Sequence, residues 1–465
     1  MRGLKRLRWL AAMVCILVAL SPGALAAQEA DEPPHFDRIK MLVEPYLKND
    51  KFVGASVGIF IDGKEYYLNY GHTKKGGPEP TNETIYEIGS ISKVFTGLLL
   101  ADAVAREELT LDTTVGSMIP SLGEKAEASD ITLLELTHHM SGLPRMPANI
   151  RPKEQTNPFA DYDRKKLDTF LARVTLSKPG EGYAYSNLGA GLLGDLLSRR
   201  AEMSYEELLR QRILEPAGMK DTTIELSESQ LSRMADPHNG AGLPDHRWSF
   251  DALVGAGGIR STTRDMVQFM KLNLDPPEGP LGDALNLAWK QHLPPTDDHR
   301  AMGLGWMIAG DGQGRWHNGQ TGGYQSMFLA NREYKLGVVV LSNTAGSSID
   351  PLAEGIFRAL LGVKEKPQNF DPVAEVSPET AQRLAGRYRL ALFSVIEVKA
   401  NGNKLMVQLS GQPAIPVFPE SDTVWNYRVV EAQLRFELPE GDGPATKVTL
   451  FQNGREMPAP RIGDK

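Results

Sequence analysis

Ser90 and Lys93 stand three residues apart in Gly89-Ser90-Ile91-Ser92-Lys93. On a helix that spacing puts both side chains on one face, about one turn apart. An uncharged lysine so placed can take the proton of a serine hydroxyl. A helix start helps twice, because its free N–H groups and positive potential favour negative charge at the serine and disfavour charge on a nearby buried ammonium. Taken alone, the tetrapeptide reads first as an N-cap serine followed by an unrelated lysine.

Two later stretches carry complementary groups. Tyr185 and Asn187 follow the tight Pro179-Gly180-Glu181-Gly182 loop and project a phenol and an amide to one side. A phenol beside a lysine ionises more easily and can shuttle a proton between nucleophile and leaving group. The Asn187 amide can orient the lysine or bond a substrate amide. The plain alternative is a core tyrosine with a turn asparagine. Trp316 to Tyr324 has glycines at 319, 322 and 323, which let a strand edge run close to a ligand. There the Gln320 N–H can pair with the Ser90 N–H as an oxyanion hole, each donor worth on the order of 10²–10³ in rate. His317 has two readings, a hydrogen bond to substrate or to Tyr185, or a satisfied strand histidine.

The elements around these residues predict an α/β (α+β) domain. Ala55 to Tyr70 reads as a β-hairpin turning at Asp62-Gly63. Ser90 to Leu109 has Leu, Ala and Val at helical spacing, and Leu167–Arg173 and Tyr205–Leu214 also read as helices. Pro144 to Pro158 reads as a surface loop. Strands are expected at Gly303–Ala309, Tyr324–Asn331 and Lys335–Asn343, with a short helix at Ile356–Leu361. An antiparallel sheet built from sequence-distant segments, flanked by helices and a helical subdomain, follows. The Pro- and charge-rich run at 364–372 marks a linker, and short strands with turns then predict a small all-β antiparallel domain. Its clearest hairpin is Ser394–Lys399 with Lys404–Leu409, turning at Asn401-Gly402. The expected division is therefore 1–26, 27–365, 366–374 and 375–465.

Together, Ser90-x-x-Lys93, Tyr185-Ser186-Asn187 and His317-Asn318-Gly319 resemble the three motifs of serine β-lactamases and penicillin-binding DD-peptidases. The tyrosine of the second motif points to the class C branch, which also holds esterases and D-amino-acid peptidases. Ile131 to Pro144, Pro216 to Thr222 and Gly255 to Thr262 agree, so the resemblance covers roughly residues 36–362. The C-terminal part looks like the accessory domain fused to some of these hydrolases. The resemblance implies an acyl-enzyme on Ser90, with Lys93 and Tyr185 moving the proton. Ser90 and Gln320 N–H groups hold the oxyanion, and Asn187, His317 and Gly319 line the substrate. Neither cofactor nor metal is implied. The implied substrate is a small molecule or peptide: a β-lactam, a D-Ala-D-Ala or other D-amino-acid peptide, or an ester. Better-known β-lactamases begin the third motif with lysine, a fixed charge for a substrate carboxylate; His317 supplies none when neutral. A carboxylesterase, or a non-catalytic binder of peptidoglycan or a partner, are the competing readings.

The chain has 465 residues, 41% of them hydrophobic, ample for a sizeable core. Arg2, Lys5, Arg6 and Arg8 precede the apolar run Trp9–Leu20 and the Ala24-Leu25-Ala26 cleavage pattern, which reads as a signal peptide. Export to the periplasm or medium, with no membrane span after removal of the leader, is the expectation. Losing residues 1–26 removes four basic residues and no acidic one, taking the formal net charge from −7 to −11. Such a chain is unsuited to nucleic acid. Cys15 is the sole cysteine and lies in the leader, so the expected mature chain can form neither disulfide nor thiolate. The histidines lack H-E-x-x-H spacing and no G-x-S-x-G elbow occurs, which argues against a zinc hydrolase and an α/β-hydrolase lipase.

Overall fold

The first hairpin forms where its turn residues place it. β1 (Gly54–Ile61) and β2 (Lys64–Gly71) pair antiparallel, with Ile61 opposite Lys64. Asp62 and Gly63 take φ of 51° and 77°, the left-handed pair that a type I′ turn requires. This computed structural model describes residues 32–123, 126–177, 179–370, 374–392, 394–412, 414–428, 430–452 and 454–463. The expected leader, Cys15 included, lies outside them.

β3 (Tyr86–Glu87) and β4 (Arg260–Ser261) form a short ribbon of their own. β5 (Met307–Ile308), β6 (Gly314–Gln320), β7 (Gln325–Asn331) and β8 (Leu336–Ser342) complete the main antiparallel sheet, in the order β2-β1-β8-β7-β6-β5. The join between β1 and β8 sets Ala55 against Ser342, so the sheet closes only after the helical middle of the chain has been laid down.

Alternation along β8 shows the layering. Val338 and Val340 pack into a core shared with the helices Phe36–Lys48 and Ile349–Leu360. Val339 and Leu341 pack into the core of the opposite face, beneath the helices Ser92–Ala105 and Thr263–Leu274, which Phe95 and Phe269 join by stacking at 4.4 Å. Successive strand side chains point to opposite faces, so a strand covered on both sides must be apolar throughout.

Several elements differ from expectation. The helix at Ser90 opens as a 3₁₀ turn, Gly89–Ile91, and its α part ends at Ala105. The helix at Tyr205 is α to Leu209, then widens into a π-helical turn over Arg210–Leu214. The strand expected at Gly303–Ala309 shrinks to Met307–Ile308, because Gly305 takes a φ of 75° and turns the backbone away from extension. The last helix of this region is longer than expected, Ile349–Leu360; Pro351 lies in its first turn, where a missing N–H breaks no helical bond.

The C-terminal strands close into an eight-stranded antiparallel barrel between Gly386 and Ile462. Its first strand, Gly386–Ala391, pairs with both Ser394–Asn401 and the last, Arg455–Ile462. Trp425, Tyr388 and Leu434 are fully buried within it. The hairpin turn falls at Gly402-Asn403 rather than Asn401-Gly402, since Asn401 pairs with Lys404 and Gly402 carries the positive φ of 60°. Residues from Pro33 onward form one compact unit, and Arg428 Nη1 of the barrel donates to the Asp50 carbonyl at 3.2 Å. Among the described residues, no helix is long and apolar enough to cross a membrane.

Candidate active site

Ser90 sits in the 3₁₀ turn at the head of the Ser92–Ala105 helix. Lys93 follows in the first turn of that α-helix, so the two side chains lie one turn apart. Lys93 Nζ donates to Ser90 Oγ at 2.9 Å and to the Ala256 carbonyl at 2.7 Å. Lys93 is 3% exposed. The helix below it is buried on nearly all sides, and burial pushes the Lys93 pKa below its ordinary value, opposed by Tyr185 and reinforced by Arg145. The Ala256 carbonyl orients the amine without neutralising it, a contact with no signature in the spacing of the motif.

Tyr185 is pinned from both sides. Ala184 N–H donates to the His139 carbonyl at 2.8 Å, and Ser186 N–H donates to His139 Nδ1 at 3.2 Å. Ser186 caps the Asn187–Ala201 helix, its Oγ accepting from Gly189 N–H at 2.9 Å and donating to the Pro144 carbonyl at 2.7 Å. The Tyr185 hydroxyl lies within hydrogen-bonding reach of Ser90 and Lys93. Burial alone would raise its pKa; the Lys93 charge, those hydrogen bonds and Arg145 outweigh burial and lower it. Lys93 Nζ is 5.0 Å, and the Arg145 guanidinium carbon 5.1 Å, from the Tyr185 ring centroid.

β6 supplies the opposite wall. A Cβ on Gly319 would fall 2.1 Å from the Ile88 carbonyl oxygen and 2.9 Å from Ser90 N, and one on Gly89 would fall 2.7 Å from Gln320 N. Glycine at both positions therefore lets the strand edge and the serine turn meet backbone to backbone, which brings the Ser90 and Gln320 N–H groups together. Gly322 and Gly323 are needed for packing against Trp248 and Pro237 instead.

Two expected contacts take another form. His317 makes no hydrogen bond to Tyr185. Its Nδ1 donates to the Asn318 carbonyl at 2.5 Å, leaving Nε2 buried with no hydrogen-bond partner among the described residues. Burial, then the nearby Lys93 charge, pushes its pKa down to about 3, so the ring is neutral at physiological pH. Asn187 lines the cleft beside Ser90, but its Nδ2 faces Met146 Sδ at 3.8 Å and not Lys93. His139, which no motif singled out, braces the Tyr185 loop.

The remaining side of the cleft is aromatic, and sequence patterns did not reveal it. Phe159 stacks on Phe250 at 4.6 Å and meets Trp248 edge-on at 5.2 Å, all three beside Ser90. Glu87 accepts the Trp248 N–H at 2.9 Å. Burial pushes the Glu87 carboxyl up to about 7, with Arg260 the main opposing influence.

Comparison with known proteins matches this chain to a family. The family model described as Beta-lactamase matches residues 39–361. A β-lactamase of Pseudomonas fluorescens is 33% identical over 270 residues, covering 57% of this chain and 72% of that protein. Penicillin-binding protein 4* of Bacillus subtilis (strain 168) is 25% identical over 436 residues, covering 85% of this chain and 92% of that protein. Among solved structures, a class C β-lactamase aligns with a TM-score of 0.64 at 22% identity, covering 73% of this chain and 99% of that one; it shares the fold.

Proposed function

Because the chain belongs to the β-lactamase family and is a serine hydrolase of that family, we propose that it works through an acyl-enzyme on Ser90. The observation that carries this is the 2.9 Å contact from Lys93 Nζ to Ser90 Oγ, made by a lysine whose charge is disfavoured by burial. Lys93 takes the Ser90 proton as Oγ bonds to the substrate carbonyl carbon. The oxyanion lies between the Ser90 and Gln320 N–H groups. The proton passes through Lys93 and Tyr185 to the leaving atom as its bond to the carbonyl carbon breaks. Water, activated by the same pair, then releases the acyl group. The acyl side chain lies against Phe159, Trp248 and Phe250, with Asn187, His317 and Gly319 lining the rest.

The bond is of amide type, in a β-lactam or a D-amino-acid peptide, and a carboxylesterase is the second reading, favoured by the uncharged His317. Residues 27–365 are the hydrolase in this proposal, 375–465 an accessory domain, and 1–26 a leader removed on export to the periplasm or medium. A mature N-terminus at Ala27 is the corresponding expectation.

Intact-mass and peptide mapping after a fluorophosphonate should place one adduct on Ser90, absent in Ser90→Ala. Labelling elsewhere, or labelling that survives Ser90→Ala, excludes the acyl-enzyme. Failure to turn over esters, penicillins and D-Ala-D-Ala peptides alike would leave the binding protein.

A further inference from the structure

In a β-lactam and in a D-Ala-D-Ala peptide alike, the carbon bonded to the leaving nitrogen bears a carboxylate. β6 offers that group no charge, since His317 is buried and neutral. Lys93 is buried too, and its amine is committed to Ser90 Oγ and the Ala256 carbonyl. A cation for the carboxylate has to come from another part of the cleft.

Arg145 meets that need. Its backbone is fixed to the segment that carries Tyr185: the Arg145 carbonyl accepts from Asn187 N–H at 3.0 Å and from Leu188 N–H at 3.2 Å. Asn187 lines the cleft beside Ser90, and its amide faces Met146, the next residue after Arg145. The Arg145 side chain is exposed, with its guanidinium carbon 5.1 Å from the Tyr185 ring centroid. Other arginines of the helical region are taken: Arg164 and Arg199 hold Asp195, and Arg212 holds Asp102 and Glu108. Arg145 has no hydrogen bond or ion pair from its side chain among the described residues, so its five donors are available. No carboxylate is among the charges that chiefly bear on Lys93, Tyr185 or His139, although the chain carries a formal net charge of −7. An anion beside Tyr185 therefore meets cations and no close repulsion.

In the proposed acyl transfer the leaving nitrogen takes its proton from Tyr185. A carboxylate one carbon beyond that nitrogen lies next to the same ring. We propose that Arg145 pairs there with the leaving-group carboxylate, its planar fork set on the two oxygens. Arg145 then sets the substrate class: acyl donors with a carboxylate next to the leaving atom are preferred to simple alcohol esters. This rests on Ser90 being the acylated residue.

A matched pair of hippuryl thioesters tests it, the leaving thiol being thioglycolate in one and its methyl ester in the other. In both, the Ser90 Oγ–carbon bond forms, the carbon–sulfur bond breaks, and the serine proton ends on the thiol, which a thiol reagent reads. After correction for each compound's hydroxide-catalysed rate, kcat/KM should favour the free carboxylate by about tenfold, the worth of one hydrogen bond between charged groups. The preference should shrink at high salt and approach unity in Arg145→Met. Taking the ratio of the two substrates cancels whatever that substitution does to Lys93. Ser90 acylated by both thioesters with equal kcat/KM, or with a preference for the methyl ester, overturns the inference and leaves the acyl-enzyme standing. So does a preference for the carboxylate that Arg145→Met leaves intact. Should a fluorophosphonate label Ser90 while neither thioester is turned over, protection against that label is the readout. The free carboxylate should then protect better than the methyl ester, and equal protection overturns the inference. If neither a thioester nor a fluorophosphonate modifies Ser90, the acyl-enzyme itself fails, and this inference with it.

Discussion

His139 lies ring to ring with Tyr185, 4.4 Å between centroids, while its Nδ1 holds the Ser186 N–H at 3.2 Å. Burial, then the charges of Lys93 and its neighbours, keep this histidine well below its usual pKa and thus neutral. It aims the phenol rather than moving a proton. His139→Phe keeps a ring but orphans a buried N–H, which costs about 1–3 kcal/mol. The expected result is kcat lowered by roughly 10- to 100-fold at similar KM, by steady-state kinetics on a chromogenic ester. An unchanged kcat would count against a positioning role.

Tyr185→Phe and Lys93→Ala should each lower kcat by on the order of 10²–10⁴. The double variant should fall little further, because the two groups act as one unit. Additive losses in the logarithm of kcat would mean that the proton takes two separate routes.

Arg145 lowers the pKa of both Lys93 and Tyr185. In the proposed mechanism a neutral Lys93 is the reactive form, so kcat/KM should climb with pH through an apparent pKa below the ordinary lysine value of about 10.4. Arg145→Met removes a positive charge and lets Lys93 hold its proton to higher pH. The rising limb should move to more alkaline pH in a pH–rate profile; a shift toward acid would refute the assignment.

Gly319→Ala would set a methyl group against backbone on both sides, the Ile88 carbonyl and the Ser90 nitrogen. Neither can swing aside as a side chain could. Displacing the proposed oxyanion donors should lower kcat by on the order of 10²–10³, with the native circular dichroism spectrum retained.

Burial is the main reason that His138 and His317 are pushed down to about 3. Unfolded, each binds a proton near pH 6.5. The unfolded chain therefore binds more protons between those values, and stability falls as pH drops from about 6.5 toward 3. Each histidine contributes up to about 1.4 kcal/mol per pH unit in that window. Glu87, pushed up to about 7, works the opposite way: its contribution is lost as pH rises through 7. Comparing His317→Gln with the unaltered protein isolates one histidine, and urea midpoints from pH 7 to 4 should fall less steeply in the variant.

The juxtapositions that depend on spacing could be read from sequence: Ser90 with Lys93, Tyr185 after a tight loop, and Gly319 against the serine turn. What could not be read depends on folding. The Ala256 carbonyl lies 163 positions from Lys93. Phe159 and Phe250 are far apart in sequence and meet only once the helical region packs. His139 stood in a recognisable stretch, yet its left-handed φ of 59° is what turns its carbonyl and ring toward Tyr185. The Gly303–Ala309 strand was overestimated because apolar content there reflects burial against helices rather than pairing. Closure of the barrel depends on its first and last strands meeting, which no local pattern encodes.

That closure limits how the C-terminal residues can meet other molecules. An open sheet offers a row of unpaired N–H and C=O groups onto which a foreign strand can be grafted, and a ring of strands does not. A ligand of the barrel must be held by loops and side chains. The ring is unequal around its circumference: between first and last strands the pairing is Tyr388 with Arg461 and Arg387 with Ile462, a short seam clasped by Arg461 Nη2 on the Ala385 carbonyl at 2.7 Å. Under heat or pulling force the hoop should part at this seam or at the equally short one where Phe418 pairs with Asn426 and Pro419 with Trp425, and the exposed rim would be an adhesive edge.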